Sequence, residues 1–207
     1  MGSVAIKPSD IEIRPLTKAR LPDLAALFDE GGDAKTCQCA FWRVPGSGTG
    51  WENWTKAKNR SVIASLAGHD PAPGLVAYRD GRAVGWVSVG PREDYARLER
   101  SKVLARIDEK PVWSIVCFVV SRKARGQGIA RALLDAAVDY ARDHGATLVE
   151  AYPVDPLRGR VPAASAYMGP LGMFERAGFR VVERRQWNAA TPVRPIVRRS
   201  IRRRRSA

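Results

Sequence analysis

Residues 119–130 have the sequence VVSRKARGQGIA, and this stretch decides the fold. It follows residues 112–120, a continuous apolar run rich in β-branched side chains that predicts a strand buried on both faces. It leads into residues 126–144, whose apolar side chains recur at helical spacing and predict an amphipathic helix closed by Gly145. The stretch is therefore predicted to form a tight turn between a buried strand and a long helix.

The glycines and basic residues of this turn predict a binding site for a diphosphate. Free N–H groups at a helix N-terminus point outward and carry the positive end of the helix dipole. Gly126 and Gly128 have no Cβ, so the main chain there can approach an anion closely. The side chains of Arg122, Lys123 and Arg125 add positive charge at the same place.

Two common diphosphate-binding motifs do not fit the turn. A P-loop requires G-x-x-x-x-G-K-[S/T], and the sequence contains no such string. The dinucleotide fingerprint G-x-G-x-x-G/A fails because Arg131 stands where the third small residue belongs. That fingerprint also follows a strand early in the chain, whereas this strand lies past the midpoint.

A third motif fits the turn and its surroundings. Residues 125–130, RGQGIA, resemble the R/Q-x-x-G-x-G/A motif of the GNAT superfamily of N-acetyltransferases. Residues 120–126, VSRKARG, resemble the family's V-x-P-x-x-R-G, with Arg122 where proline is common. Residues 173–179, MFERAGF, resemble its second signature, which often has the form L-Y-x-x-x-G-F. The order of elements agrees from about residue 11 to residue 187, and the specific motifs lie between residues 112 and 179.

The resemblance implies an α/β fold (mixed α+β) with a central mixed, mostly antiparallel sheet, whose splayed parallel strands are flanked by helices. Periodicity and turn signals agree with that fold. They predict strands over residues 11–15, 74–78, 83–89, 112–120, 147–154 and 179–187. They predict helices over residues 21–28, 51–67, 126–144 and 165–176, and a polar loop with a short helix over residues 91–105.

The resemblance also implies that acetyl-CoA is the cosubstrate and that no metal takes part. Pantetheine would pair with main-chain groups of the buried strand at Phe118, Val119 and Val120. The main-chain amides that would hold the pyrophosphate belong to Arg125, Gly126, Gln127, Gly128, Ile129 and Ala130. An amide near Phe118 or Val119 would polarise the thioester carbonyl while an amine attacks it.

The residues that transfer protons are less clearly marked. Family members often use a tyrosine at the position of Phe174, and phenylalanine cannot donate a proton. Tyr167, about two helical turns earlier, is the predicted substitute, with an ordinary packed tyrosine as the alternative. Glu150, a carboxylate in an apolar strand, is the predicted base, with an outward-facing residue as the alternative.

Other acidic residues are further candidates for the acceptor cleft. Asp155 follows the strand of Glu150, in the region where the resemblance places acceptor substrates. Glu93 and Asp94 belong to the polar loop, where charged side chains are usually just solvated. A proton relayed by water, with no dedicated base, is a further alternative.

The three cysteines are too few for a disulfide framework. Cys37 and Cys39 form a C-x-C, but a metal site needs two further ligands, so apolar packing is favoured. Cys117 lies on the buried strand, and a nucleophilic role would need a nearby histidine that the sequence does not place there. A core thiol is therefore the favoured interpretation of Cys117.

Length and composition predict one soluble domain. The 207 residues, 45% hydrophobic and 27% charged, are typical of an ordinary globular protein. No apolar run approaches the roughly 20 residues of a membrane-spanning helix. Residues 1–10 lack the apolar core of a secretory signal, so a cytoplasmic location is predicted.

The net charge of +14 is concentrated at the C-terminus, where seven arginines and no acidic residue follow residue 193. We predict three parts: an N-terminal segment (1–10), the acetyltransferase domain (11–190) and a basic, flexible tail (191–207). The tail is predicted to be a solvated end, and weak contact with nucleic acid or another anionic partner is the alternative.

These observations predict an acetyl-CoA-dependent N-acetyltransferase. The acetyl group would pass to a primary amine of a small molecule by direct attack in a ternary complex. One alternative is a protein lysine or N-terminal acetyltransferase. Another is a non-catalytic acyl-CoA-binding protein, or a protein that binds nucleic acid through its tail. Monomer and homodimer both remain open.

Overall fold

The computed structural model describes residues 10–45, 54–155 and 166–202. In these residues seven strands form one sheet in the order β1-β2-β3-β4-β5-β7-β6. The strands are β1 (Glu12–Pro15), β2 (Gly74–Arg79), β3 (Arg82–Pro91), β4 (Trp113–Val120), β5 (Leu148–Ala151), β6 (Arg180–Arg185) and β7 (Arg194–Ser200). Neighbouring strands are antiparallel except for β4 and β5, which confirms the predicted mixed, mostly antiparallel sheet.

Helices cover both faces of the sheet. They are α1 (Leu21–Asp29), α2 (Ala34–Cys37), α3 (Lys56–Leu66), α4 (Ala96–Glu99), α5 (Ile129–Asp143) and α6 (Leu171–Arg176). Side chains of α5, such as Leu133 and Leu134, are buried against one face, and α1 buries Phe28 against Trp86 on the other. None of the helices that the structure describes has the length and apolar content needed to cross a lipid bilayer.

Some elements are shorter than the sequence pattern predicts. The long helix begins at Ile129 rather than at residue 126 because Gly126 and Gly128 adopt left-handed φ values of 74° and 81°. In the helix predicted over residues 165–176, Ala166 is helical, residues 167–170 are not, and α6 follows; residue 165 lies outside the described part. In the same way, residues 51–53 of the predicted second helix are not described, and α3 begins after Thr55.

The C-terminal arginines belong to the sheet, so the prediction of a flexible tail is wrong for Arg194–Ser200. This segment is β7, and it pairs with both β5 and β6. Its Ile196 and Val197 are 0% exposed, and Arg198 forms an ion pair with Asp108 at 2.7 Å. Its apolar side chains pack into the core on one face of the strand. The many arginines of the segment suggest a solvated end when only the charge is counted. Residues 203–207 lie outside the described part of the chain.

A β-bulge lies in the pairing of β3 with β4, next to the point where β4 stops pairing with its parallel neighbour. Ser88 of β3 pairs with Cys117, but the next residue of β3 pairs with Ile115, so Val116 is extra. Such a bulge bends a strand and changes its twist. The pairing of β4 with β5 ends at Ile115 and Ala151, whereas β4 continues along β3 to Val120. The two parallel strands therefore splay apart, and the second half of β4 has no described strand as its neighbour on this side, which we call the open side of β4.

Candidate active site

The turn after β4 has the form that a pyrophosphate site requires. The chain passes through a 3₁₀ turn at Arg122–Ala124 and enters the 15-residue helix α5 with Gly128 as its N-cap. Glycine has no side chain, so Gly128 leaves the amides of the first helical turn without a side-chain cap. The space that a Cβ would take at Gly126 or Gly128 is open, with no atom of the described residues within 4 Å. An anionic group can therefore approach the main chain here.

Hydrogen bonds from side chains stabilise the turn. Glu30, at the C-terminal end of α1, accepts hydrogen bonds from the Ser121 hydroxyl at 2.9 Å and from the Arg122 amide at 3.2 Å. Gln127 donates through Nε2 to the carbonyl of Lys123 at 3.0 Å. These bonds hold the turn in place while its amides toward α5 stay open. No sequence pattern marks Glu30 for this role, since it lies 91 residues from Ser121.

The open side of β4 presents main-chain groups of two of the three predicted pantetheine contacts. The Phe118 amide points away from β3 and donates to the carbonyl of Tyr167 at 2.6 Å. The Val120 carbonyl accepts a hydrogen bond from Arg125 Nε at 3.3 Å. Since main-chain groups alternate along a strand, Val119 directs its amide and carbonyl toward β3, which differs from our prediction.

A cavity of about 400 Å³ lies beside this half of β4, on the face that α1 covers. The side chains of Cys117 and Val119 form its floor. Its other lining residues come from the segment after α1 and from Tyr167, and they are Gly32, Asp33, Ala34, Thr36, Cys37, Cys39, Phe41 and Trp42. The cavity is therefore in reach of the strand that would carry the thioester.

Tyr167, the predicted acid, contributes to the lining of this cavity. Its hydroxyl lies against Gly32, where an added Cβ would come within 2.8 Å of the oxygen. Its main chain contacts Phe118 at the same time. The position suits a proton donor to a leaving group near β4, and the role itself stays a prediction.

Glu150, the predicted base, lies elsewhere, in a buried polar network. Its carboxylate is 1% exposed, and Arg92 donates to one oxygen at 2.9 Å while Arg198 donates to the other at 2.7 Å. The Tyr152 hydroxyl also donates to the first oxygen, at 2.6 Å. Burial, together with the charge of Glu150, raises the pKa of Tyr152 well above its ordinary value. With both oxygens bonded and no place in the cavity lining, Glu150 is a structural residue, and we withdraw the base prediction.

Three other acidic candidates pair with arginines outside the cavity. Asp155 pairs with Arg184 at 3.3 Å. Glu93 pairs with Arg106 at 2.8 Å, and Asp94 pairs with Arg43 at 3.4 Å. The acidic residue that does line the cavity is Asp33. It was not among the predicted site residues, because the glycines before it indicate only a helix end.

The three cysteines come together at the cavity. Burial raises the pKa of the Cys37 thiol to about 11. The hydrogen bond that Cys117 makes with Cys39, together with burial, raises the pKa of Cys117 well above its ordinary value. Cys117 is thus a protonated thiol at neutral pH, in agreement with the core interpretation. In the described part of the chain, no group of three or more His, Cys, Asp or Glu side chains is arranged to hold a metal ion.

Phe174 occupies an apolar site rather than a catalytic one. It is 0% exposed and packs edge-to-face on Phe118, with ring centroids 6.0 Å apart. It also packs on Phe179 at 5.3 Å. An aromatic ring here supports the back of β4 and contributes no exchangeable proton.

Comparison with known proteins agrees with this geometry. The model of the acetyltransferase (GNAT) family matches residues 37–167. A GCN5-related N-acetyltransferase from Kribbella flavida is 19% identical, with 94% of this chain and 100% of that chain covered and a TM-score of 0.57. A ribosomal-protein-alanine N-acetyltransferase from Brucella melitensis is 22% identical, with 92% and 99% covered and a TM-score of 0.56. A polyamine N-acetyltransferase from Drosophila melanogaster is 14% identical, with 93% and 100% covered and a TM-score of 0.56.

These structures share the fold, and their acceptors differ from one another. No curated protein matches the chain in sequence. The family match covers well over half of the chain and includes β4, the turn and α5, the elements that the sequence motifs had singled out. The chain therefore belongs to the GNAT family of N-acetyltransferases.

Proposed function

We propose that the protein transfers the acetyl group of acetyl-CoA to the primary amine of a small molecule, by direct attack in a ternary complex. The observation that carries the proposal is the cavity of about 400 Å³ against Cys117 and Val119. It adjoins the open side of β4, so an amine inside it can meet a thioester held along that strand. A cavity of this size suits a small ligand.

The donor would be held by main-chain groups of this chain. Amides of the turn and of the first turn of α5, at residues 125–130, would bind the pyrophosphate. Phe118 and Val120 would pair with the pantetheine on the open side of β4. The Phe118 amide would also donate to the thioester carbonyl and stabilise the negative charge that develops on its oxygen.

The transfer itself forms one bond and breaks one. The amine nitrogen bonds to the acetyl carbon, the carbon–sulfur bond breaks, and CoA leaves as a thiolate. We assign Tyr167 as the donor of the proton that the thiolate takes up. The ammonium loses one proton to water before the attack, because Glu150 is held by Arg92 and Arg198. After the attack the nitrogen loses a second proton, which passes through water to the tyrosinate and restores the Tyr167 hydroxyl.

The test is release of CoA from acetyl-CoA with a panel of primary amines, corrected for hydrolysis without amine. Peptides with a free N-terminus or an internal lysine form a second panel. We expect steady release with small amines and none above background with peptides. Faster release with peptides would favour the protein acetyltransferase. Binding of acetyl-CoA with no release in either panel would contradict catalysis on amines of these kinds.

A further inference from the structure

We infer that the acceptor is a monoamine with a compact apolar body, and that Asp33 binds its ammonium group. The inference rests on the proposed function, since it concerns the same cavity. It goes further by naming the class of amine. Among the described lining residues, Asp33 is the charged one, and the remainder is largely apolar.

One part of the cavity lining, which we call the aromatic wall, consists of Phe41 and Trp42. The rings of Phe41 and Trp42 meet edge-to-face with centroids 5.0 Å apart. The Arg97 guanidinium stacks over Phe41 at 4.2 Å, which fixes that ring in place. In the same lining, the protonated thiol of Cys117 and the side chain of Val119 complete an apolar slot. Such a slot favours a flat or branched hydrocarbon over a charged chain.

Asp33 is an exposed residue that belongs to the lining of this slot. Asp33 lines the cavity at the start of α2, and no residue within 10–45, 54–155 or 166–202 forms an ion pair with it. Thr36, one helical turn later, belongs to the same lining, and its side chain carries a hydroxyl. A carboxylate and a hydroxyl can together bind one ammonium group.

The position of Asp33 places that ammonium group near the reacting strand. Asp33 follows Gly32 directly, and the Tyr167 hydroxyl lies against Gly32. Tyr167 in turn is bonded to Phe118 on the open side of β4. An amine bound by Asp33 therefore lies near Tyr167, and the apolar lining residues are left for its body.

A second cationic group on the acceptor would find no further carboxylate among the lining residues that the structure describes. The other acidic residues that the sequence offered for the acceptor cleft are engaged elsewhere: Asp94 by Arg43, Glu93 by Arg106 and Asp155 by Arg184. An ammonium or guanidinium group placed against the aromatic wall would lose water without gaining a counter-ion. The cavity therefore disfavours polyamines and guanidino-amines.

The experiment compares 2-phenylethylamine and cyclohexylmethylamine with spermidine and agmatine. Two readouts are used: kcat/KM for CoA release, and direct binding of each amine to the protein saturated with CoA, by calorimetry. We expect the monoamines to exceed the polyamines by about tenfold or more in both readouts. Equal or stronger binding of spermidine or agmatine would overturn the inference, and so would the failure of both monoamines to bind.

A pair of variants tests the role of Asp33. Asp33→Asn should raise the KM of the monoamines by about fivefold or more and leave the Kd of acetyl-CoA unchanged. Asp139→Asn removes the same charge from the exposed face of α5, far from the helix start, and should change neither. An unchanged KM in Asp33→Asn would overturn the assignment. If the amines bind as expected but no CoA is released, the proposed function fails while the assigned amine class stands.

Discussion

The main-chain amide of Phe118 donates a 2.6 Å hydrogen bond to the main-chain carbonyl of Tyr167. Beyond the bulge at Val116, β4 pairs with no described strand on this side, so the amide of Phe118 takes its partner from the segment before α6. The same amide is the one that we expect to meet the thioester. The position of Tyr167 and the binding of the cosubstrate are therefore linked through a single hydrogen bond.

Acetyl-CoA should replace the carbonyl of Tyr167 as the partner of this amide. We expect the amide resonance of Phe118 to shift strongly in an NMR titration with acetyl-CoA, because its acceptor changes. The amide of Ala77, inside β2 and paired with Gly85, serves as the control and should stay in place. A Phe118 resonance that stays unchanged at saturation would contradict this exchange of partners.

Removal of the Tyr167 hydroxyl should slow the reaction. Tyr167→Phe should lower kcat by about 100-fold, since a positioned general acid contributes at least that much, and the Kd of acetyl-CoA should change little. The matched control is Tyr140→Phe. The hydroxyl that it removes accepts a hydrogen bond from the Ala72 amide at 2.7 Å. The control should lose about 1 kcal/mol of unfolding free energy and keep its kcat. Near-normal turnover of Tyr167→Phe would remove this residue from the mechanism.

The glycine that begins α5 should matter for binding as well as for stability. Gly128→Ala places a Cβ where the phosphate approaches and forces a non-glycine residue into φ +81°. Gly81→Ala has the same backbone cost, at φ +71° and with open space around it, but lies in the turn between β2 and β3. We expect both to lose about 1–2 kcal/mol of unfolding free energy. Calorimetry should show a Kd for acetyl-CoA that is raised about tenfold in Gly128→Ala and unchanged in Gly81→Ala. A similar Kd in both variants would contradict a pyrophosphate site at the start of α5.

The network around Glu150 should govern stability. Glu150→Gln leaves Arg92 and Arg198 without their shared carboxylate, so we expect a loss of about 3–5 kcal/mol in denaturant unfolding. Glu183→Gln, which breaks a more exposed pair with Arg185, should cost about 1 kcal/mol or less. Turnover per folded molecule of Glu150→Gln should stay close to that of the natural protein. The opposite result, normal stability with lost turnover, would restore Glu150 as the base.

The donor site could be predicted from the sequence because that site is local. A buried strand, two glycines and a helix start follow one another within residues 112–144, and each has a pattern of its own. Even there, the pattern places the helix start too early, since glycines with positive φ are not distinguished from helical residues by periodicity. The bulge at Val116 has no sequence signature, although the pairing of β4 with β5 ends at the residue before it.

The acceptor side could not be predicted in the same way, because its residues come together only through the sheet. Glu150 and Arg198 are 48 residues apart, and they meet because β5 pairs with β7. From charge alone, the arginines of β7 indicate a solvated end. A single carboxylate in an apolar strand likewise suggests a catalytic role for Glu150. Asp33 and Cys117 likewise meet at one cavity only after α1 has packed on the sheet.

An amine in the cavity should take the acetyl group from acetyl-CoA, and everything proposed for the acceptor side depends on this transfer. The most direct test is mass spectrometry of a reaction that contains the protein, acetyl-CoA and 2-phenylethylamine, with a sample that lacks the protein as the control. We predict N-acetylated amine in an amount equal to the CoA released. Release of CoA without acetylated amine, or no product above the control although acetyl-CoA and the amine both bind, would contradict the transfer.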